Sequence, residues 1–313
     1  MSTLVVEQAG LQTSVQDLGR AGYGSIGVSP SGAADAVSLR LANLLVGNPA
    51  DAAALEQTLL GGSYLFPEGG VVALAGADFG AALNGQPLEM DMAHAVMPGG
   101  RVSLGKTRGG ARCYLSIAGG VRVTSVLGSA STHLLSGLGG FKGRALQKGD
   151  VLEIGAPTKR LLRRKLGAKA RDAFQPRKTL RVTEGPQFDW FPEVAQSVLL
   201  QSRFRVTEES DRMGLRLNGP PMAMGAGKEM ISEGVSLGAL QVTPVGQAII
   251  LFVEQQTAGG YPKIANVIGA DLFCIGQLRP RDDIRFEWVT LEEARGIWIE
   301  QQRLLNSEEF LFS

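Results

Sequence analysis

Apolar residues in this chain gather in short runs broken by glycine, and helical stripes are scarce. GGVVALAG, RCYLSIAGG, VLEIG, QAIILFV and DIRFEWV are runs of strand length, rich in aliphatic and β-branched residues and bounded by turn signals. Helical spacing occurs in two places. Val37, Leu41, Leu44 and Leu45 fall at i, i+4, i+7 and i+8, which predicts a helix beginning near Ala34 and stopped by Gly47-Asn48-Pro49. Thr290 with Glu293 three residues on has the form of a capping box, and the helix it opens runs through ARGIWIEQQRLL. The predicted class is mainly β, a β-rich α+β fold with few helices.

Two parts of the chain echo each other. CYLSIAGG is followed by VLGS and LQKGDVLEI; ILFVEQQTAGG is followed by VIGA and LRPRDDIRF. The shared order is a strand, a glycine pair, Val-Leu/Ile-Gly, and a Leu-x-x-x-Asp turn into a last strand. This predicts a duplicated β-rich module. Between the copies, Lys159 to Lys178 carries nine basic residues and one acid, while the apolar alternation stops before it and resumes after it. With no aromatic platform interleaved among the charges, it reads as an exposed linker and not a nucleic-acid patch. The expected domains are 1–158 and 179–313, joined by a basic linker at 159–178.

Composition narrows the possibilities. At 313 residues, one large or two medium domains are expected. A net charge of +1 offers no general attraction for nucleic acid or membranes. Forty-two glycines with only 6% aromatic residues favour tight turns between strands over a helical bundle. Cys113 and Cys274 lie far apart among apolar neighbours and predict buried free thiols in a reducing compartment. The start MSTLVVEQAG shows no basic region followed by an apolar one, and no run reaches bilayer-spanning length, so the expected location is cytoplasmic.

Several motifs are set aside on physical grounds. GRVSLGKT, residues 100–107, fits the phosphate-loop pattern, yet its interior alternates like a strand and Arg108-Gly109-Gly110 stands where a helix should begin. GAGKE at 225–229 lacks the first glycine and the Ser/Thr, and GLGGFKG near Gly137 spaces its glycines wrongly for a dinucleotide loop. His94 and His133 have no acid or Cys at metal spacing, so no metal site is expected and a Ser-His-Asp scheme is weak.

Four polar clusters remain: QTSVQDLGR with GVSPSGAAD, SDRMG at 210–214, ISEGVSLGALQV from Ile231, and EQQTAGGYPKIA from Glu254. Each sets acids, amides or an Arg among glycines. Arg can clamp a carboxylate or phosphate in bidentate fashion, and glycines let backbone N–H groups approach an oxyanion. Singly, each would more often be a turn with Asx or Ser hydrogen bonds. Together with LAGADF, LNGQPL, VLGSAST, LGGFKGR, EGPQFDWF and the GQLRP turn, they cover nearly the whole chain. In these motifs the sequence resembles the allophanate hydrolase subunit 2, urea amidolyase-related family, which includes KipA-like proteins, the C subunit of 5-oxoprolinase and biotin-dependent carboxyltransferase-like proteins.

The resemblance implies two cyclophilin-like β-barrel domains, in agreement with the internal echo. It also implies membership of an ATP-dependent 5-oxoprolinase-type complex that opens the lactam of 5-oxoproline to glutamate, the chain being inactive alone. Its implied partners are a KipI-like protein (the B type of 5-oxoprolinase subunit) and a LamB/YcsF-type protein (the A type), and which chain binds ATP stays open. Two alternatives remain: a carboxyltransferase component moving a carboxyl group from carboxybiotin to urea or a related amide, and a non-catalytic KipA-type protein that binds and antagonises a KipI-like kinase inhibitor. No Ala-Met-Lys-Met run occurs here, so biotin would arrive on another chain.

Carried over position by position, the family implies catalytic roles for Asp17, Arg20, Asp35, Asp211, Arg212 and Glu233. It implies substrate-binding roles for Gln12, Ser29, Ser31, Gln241, Gln256, Thr257, Gly259, Gly260 and Tyr261. Arg20 and Arg212 would clamp an anion, Asp17 or Asp35 would orient or deprotonate the substrate, and Gly259-Gly260 would supply backbone donors. The opening loop and segments beyond residue 200 are expected to wall one pocket. The chain departs from its relatives at Ala34 (usually Met), Ala130 (Arg), Glu254-Gln255 (Asp plus a basic residue), Ala258 (Thr) and Arg281 (Gly). Two of these changes remove positive charges, which points to an altered substrate.

Overall fold

A computed structural model describes residues 2–157, 164–225 and 227–312. The chain forms two compact units: Met1–Arg20 with Ser31–Gln175 and Leu304–Ser313, and Ala21–Pro30 with Pro176–Arg303. These differ from the two continuous stretches that the sequence suggested. Residues 158–163, part of the expected basic linker, lie outside the described residues. Residues 164–175 of that segment belong to the first unit, and Pro176 to Lys178 to the second. Leu166 N–H donates to Asp91 O at 2.8 Å, Gly167 N–H to Leu311 O at 2.9 Å, and Phe174 meets Phe310 edge-on at 6.3 Å.

The first unit is built from a seven-stranded and a five-stranded sheet. Their apolar faces share one core in which Leu4, Tyr64 and Val102 of the larger sheet pack with Leu55, Leu74 and Leu115 of the smaller. Each such side chain withdrawn from water contributes on the order of 2 kcal/mol. Period-2 alternation sends Ala73 to the opposite face of its strand, where it meets Leu45 and Val46 at the end of the helix Ala36–Leu45. That helix begins where Asp35 accepts hydrogen bonds from Ser38, and Gly47 with φ 76° lies just beyond its end, close to the expected limits.

The second unit contains a closed seven-stranded barrel. Thr179–Glu184 and Asp283–Trp288 pair in parallel, and the barrel's other pairings are antiparallel. Closure leaves no unpaired strand edge. The mainly β class is as expected, with the closed barrel in the second unit and two sheets in the first. The helix Leu291–Leu305 starts from the expected capping box: Thr290 N–H donates to Glu293 Oε2 at 2.8 Å, and Glu293 N–H to Thr290 Oγ1 at 3.2 Å. Among the described residues, no helix is long and apolar enough to cross a membrane. Both cysteines are buried and form no disulfide among the described residues, and burial pushes the Cys113 thiol far up. GRVSLGKT includes the strand Gly100–Ser103, laddered to Ser63–Phe66, so its amides do not converge on a phosphate.

The internal echo recurs in atomic detail. In the first copy, Asp150 Oδ2 accepts from Gln147 N–H at 2.7 Å, Gly149 N–H donates to Val6 O at 2.7 Å, and Val6 N–H to Asp150 O at 2.8 Å. In the second, Asp282 Oδ2 accepts from Arg279 N–H at 2.9 Å, Arg281 N–H donates to Val206 O at 2.8 Å, and Val206 N–H to Asp282 O at 3.0 Å. The flanking registers match as well: Leu4 opposes Leu152 as Phe204 opposes Ile284. This turn needs a left-handed residue, Gly149 at φ 91° in one copy and Arg281 at φ 73° in the other. A non-glycine residue in that region costs about 1–2 kcal/mol. Arg281→Gly is therefore expected to raise the unfolding free energy by about 0.5 kcal/mol, after losing the exposed ion pair with Glu208. Gly149→Arg should lower it by about 1 kcal/mol or more, both read from urea midpoints at constant m.

Candidate functional site

In the first unit, the polar opening stretch is bolted down. Asp17 is nearly buried, and its carboxylate accepts from Gly19 N–H at 2.7 Å, Ser129 Oγ at 2.7 Å, Ala130 N–H at 2.6 Å and the Ser131 hydroxyl. Three of those donors crowd Oδ1 and one, Ala130 N–H, meets Oδ2, so the carboxylate holds segment 129–131 against the loop that carries it. Arg20, also buried, donates to Ser131 O and, at 3.4 Å, to Val126 O. Thr132 O accepts from Gln16 Nε2 at 3.0 Å and from Ser31 Oγ at 2.8 Å. Segment 126–132 is thereby tied to the strand Gln12–Gln16, on which Gln12 itself is half-buried. Gly140 must be glycine here, because a Cβ would lie 1.8 Å from Thr132 Oγ1.

Asp35 caps its helix, taking Ser38 N–H at 2.8 Å and Ser38 Oγ at 2.6 Å, while its own N–H donates to Tyr114 Oη at 2.7 Å. Tyr114 in turn donates to Glu56 Oε2 at 2.7 Å, and burial raises its phenol well above the ordinary value. Asp17, Arg20, Ser31 and Asp35 thus each tie parts of the fold together. The polar start is a rigid loop of the fold.

The second unit holds the more open chemistry. Ser29 donates to Val253 O at 3.1 Å, which fastens the short segment Ala21–Pro30 to this unit. Asp211 forms an Asx turn, accepting from Met213 N–H at 2.8 Å and Gly214 N–H at 3.2 Å. Arg212 and Glu254 make a buried ion pair, so the expected anion clamp is already neutralised by an internal carboxylate. Glu233 pairs across a two-stranded ribbon with Gly259. A Cβ on Gly259 would come 2.6 Å from Gln241 Nε2 and 2.8 Å from Gln256 Nε2, so two side-chain amides converge on this glycine. Gly260 lies beside Ser232, and Thr257 O accepts from Val235 N–H at 3.2 Å. Tyr261 is exposed, with its carbonyl 3.5 Å from Gln241 Nε2.

At the centre of this cluster stand two residues to which sequence reasoning gave no role. Lys263 opens the strand Lys263–Val267, directly across the ladder from Gln241, and its side chain is only 3% exposed. Its Nζ lies 2.5 Å from Glu233 Oε1. Gln187 clamps both partners: its Nε2 donates to Glu233 Oε1 at 2.9 Å, and its Oε1 accepts from Lys263 N–H at 3.1 Å. The short contact from Lys263, then the hydrogen bond from Gln187, holds the Glu233 carboxyl below its usual range. A signal was available in PKIANV, where Lys263 shares the strand face of Ala265 and Val267. A charge at that inward position conflicts with its apolar neighbours.

The cluster joins a buried ammonium, three amide side chains and a glycine pair, a set able to bind a carboxylate and to donate to an amide oxygen. A family model described as carboxyltransferase domain, subdomain A and B, matches residues 26–288. The chain belongs to that family. It is 38% identical over 300 residues to the C subunit of 5-oxoprolinase from Escherichia coli K12, covering 96% of each chain. It is 33% identical over 304 residues to the C subunit of 5-oxoprolinase from Haemophilus influenzae, covering 95% of this chain and 97% of that one. Among solved structures it is similar to Kluyveromyces lactis urea carboxylase, with a TM-score of 0.92 at 31% identity. That match takes in 99% of this chain and 30% of the urea carboxylase.

The two roles open to Asp17 in such a carboxyltransferase-family chain separate on one substitution. Asp17→Asn is expected to destabilise the protein by about 2 kcal/mol or more, because an amide NH2 would face donors that now meet a carboxylate. A catalytic base with no structural duty would instead lose activity at unchanged urea midpoint.

Proposed function

We propose that this chain is a subunit of an ATP-dependent 5-oxoprolinase-type complex that opens the lactam of 5-oxoproline to glutamate. The observation that carries the reading is the end-to-end match to the C subunit of 5-oxoprolinase, 38% identical with 96% of both chains covered. The cluster in the second unit supports it. 5-Oxoproline presents a carboxylate beside a lactam, an anion next to an amide oxygen. The Lys263 ammonium suits the carboxylate, while the Gln241 and Gln256 amides and the Gly259-Gly260 backbone suit the lactam oxygen. In this reading the chain binds and orients the lactam. ATP serves the complex; on this chain GRVSLGKT is part of a strand ladder and forms no phosphate cradle. The partners are a KipI-like and a LamB/YcsF-type protein, and the location is cytoplasmic.

A second reading, carboxyl transfer from carboxybiotin to urea or a related amide, is favoured by the match to urea carboxylase at TM-score 0.92. Biotin would then come on another chain. Co-expression with the two partners separates them. The leading reading expects glutamate released from 5-oxoproline only when ATP and all three chains are present. Absence of glutamate, with urea carboxylated once a biotin carboxylase and carrier are supplied, would move the chain to the second reading.

A further inference from the structure

Most buried charges in the second unit are matched by rigid partners. Arg181 meets the buried Asp271 through two side-chain bonds, Nε to Oδ2 at 3.0 Å and Nη2 to Oδ1 at 2.5 Å, with its backbone N–H adding a third at 2.8 Å. Lys263 breaks this pattern. Its Nζ is sealed from solvent, and no hydrogen bond of good geometry satisfies it among the described residues. The carboxylate that pairs with it, Glu233, is 45% exposed. Glu233 also sits on a stretch between Asn218 and Ala239 that carries only the two-residue strand Glu233–Gly234 among its described residues. Loops of that length with so little regular structure are uncommon and often line binding sites.

Desolvating an ammonium costs several kcal/mol, and a half-exposed carboxylate on an irregular loop offsets little of it. The other deeply buried cation of this unit, Arg212, has a partner buried as deeply as itself, Glu254. What the geometry offers instead is a fixed cation at the base of a cradle, covered by a carboxylate that can leave. We propose that Lys263, framed by Gln187 and Gln241, is the seat of a small ligand's carboxylate, and that Glu233 occupies this seat in the free chain. The ligand's identity as 5-oxoproline rests on the 5-oxoprolinase reading; its class, a small carboxylate, follows from the cluster itself. On binding, the ligand carboxylate takes the ammonium, and Glu233 turns to solvent without a change in covalent structure. Gln187 remains to donate to the incoming oxygen in place of Glu233 Oε1.

Glu233 and Lys263 should therefore respond in opposite directions. Titration calorimetry of the full chain with 5-oxoproline, and with acetate as a bare carboxylate probe, tests this in the wild type, Glu233→Gln and Lys263→Met. Removing the internal competitor should tighten binding of both probes about threefold or more, whereas removing the ammonium should weaken it about tenfold or more. Glu233→Gln changes an exposed side chain and should stay folded even if Lys263→Met does not, so the sign of its effect decides alone. Weaker or undetectable binding to Glu233→Gln would overturn the proposal and make the pair structural. Glutamate release by the assembled complex with unaltered binding in both variants would sink this inference and leave the oxoprolinase reading standing. Opposite responses without glutamate release would do the reverse.

Discussion

A charge withdrawn from water has to find its counter-charge or its donors inside the protein, and that requirement organises both units. Uncompensated, each ion costs several kcal/mol, comparable to the whole stability of a domain. The first unit meets the requirement through Asp17, whose carboxylate gathers Gly19, Ser129, Ala130 and Ser131 around itself. Because three of those donors lie more than a hundred positions away in sequence, satisfying one carboxylate fixes two loops at once. Gly139 and Gly140 follow from that closeness, since side chains there would collide with Ser131 and Thr132.

The second unit meets the same requirement in most places and relaxes it in one. Arg181–Asp271 and Arg212–Glu254 are closed pairs, buried on both sides or nearly so. Lys263 has a fixed position, set by the barrel strand and by Gln187, but its partner comes from an irregular stretch. A rigid cation under a displaceable anion is how a binding site differs from a structural salt bridge. The surrounding amides converge on Gly259, where a side chain would fill the space they frame.

Much of the fold could be read from residue spacing because its causes are local. The capping box at Thr290 and Glu293, the helix after Asp35, and the Leu-x-x-x-Asp turn each lie within a few residues of chain. The duplication was legible for the same reason, since the turn demands an Asp and a left-handed residue at set offsets. Arg281 stands out as the strained member of that pair. The site was legible only in outline. Asp17, Arg20 and Asp35 look like catalytic residues in the sequence, and their structural hydrogen bonds, to partners up to more than a hundred positions away, could not be read there. Lys263 and Gln187 are the converse case: the inward charge in PKIANV marks Lys263, but the contacts that join the two to Glu233 come from residues far apart in sequence.

The central claim is that the ammonium of Lys263 receives a ligand carboxylate. A crystal structure of the chain grown with 5-oxoproline addresses it directly. The account predicts the ligand's carboxylate within hydrogen-bonding distance of Lys263 Nζ and Gln187 Nε2, with the Glu233 side chain turned outward. A ligand bound elsewhere, over an intact Lys263–Glu233 pair, would contradict it.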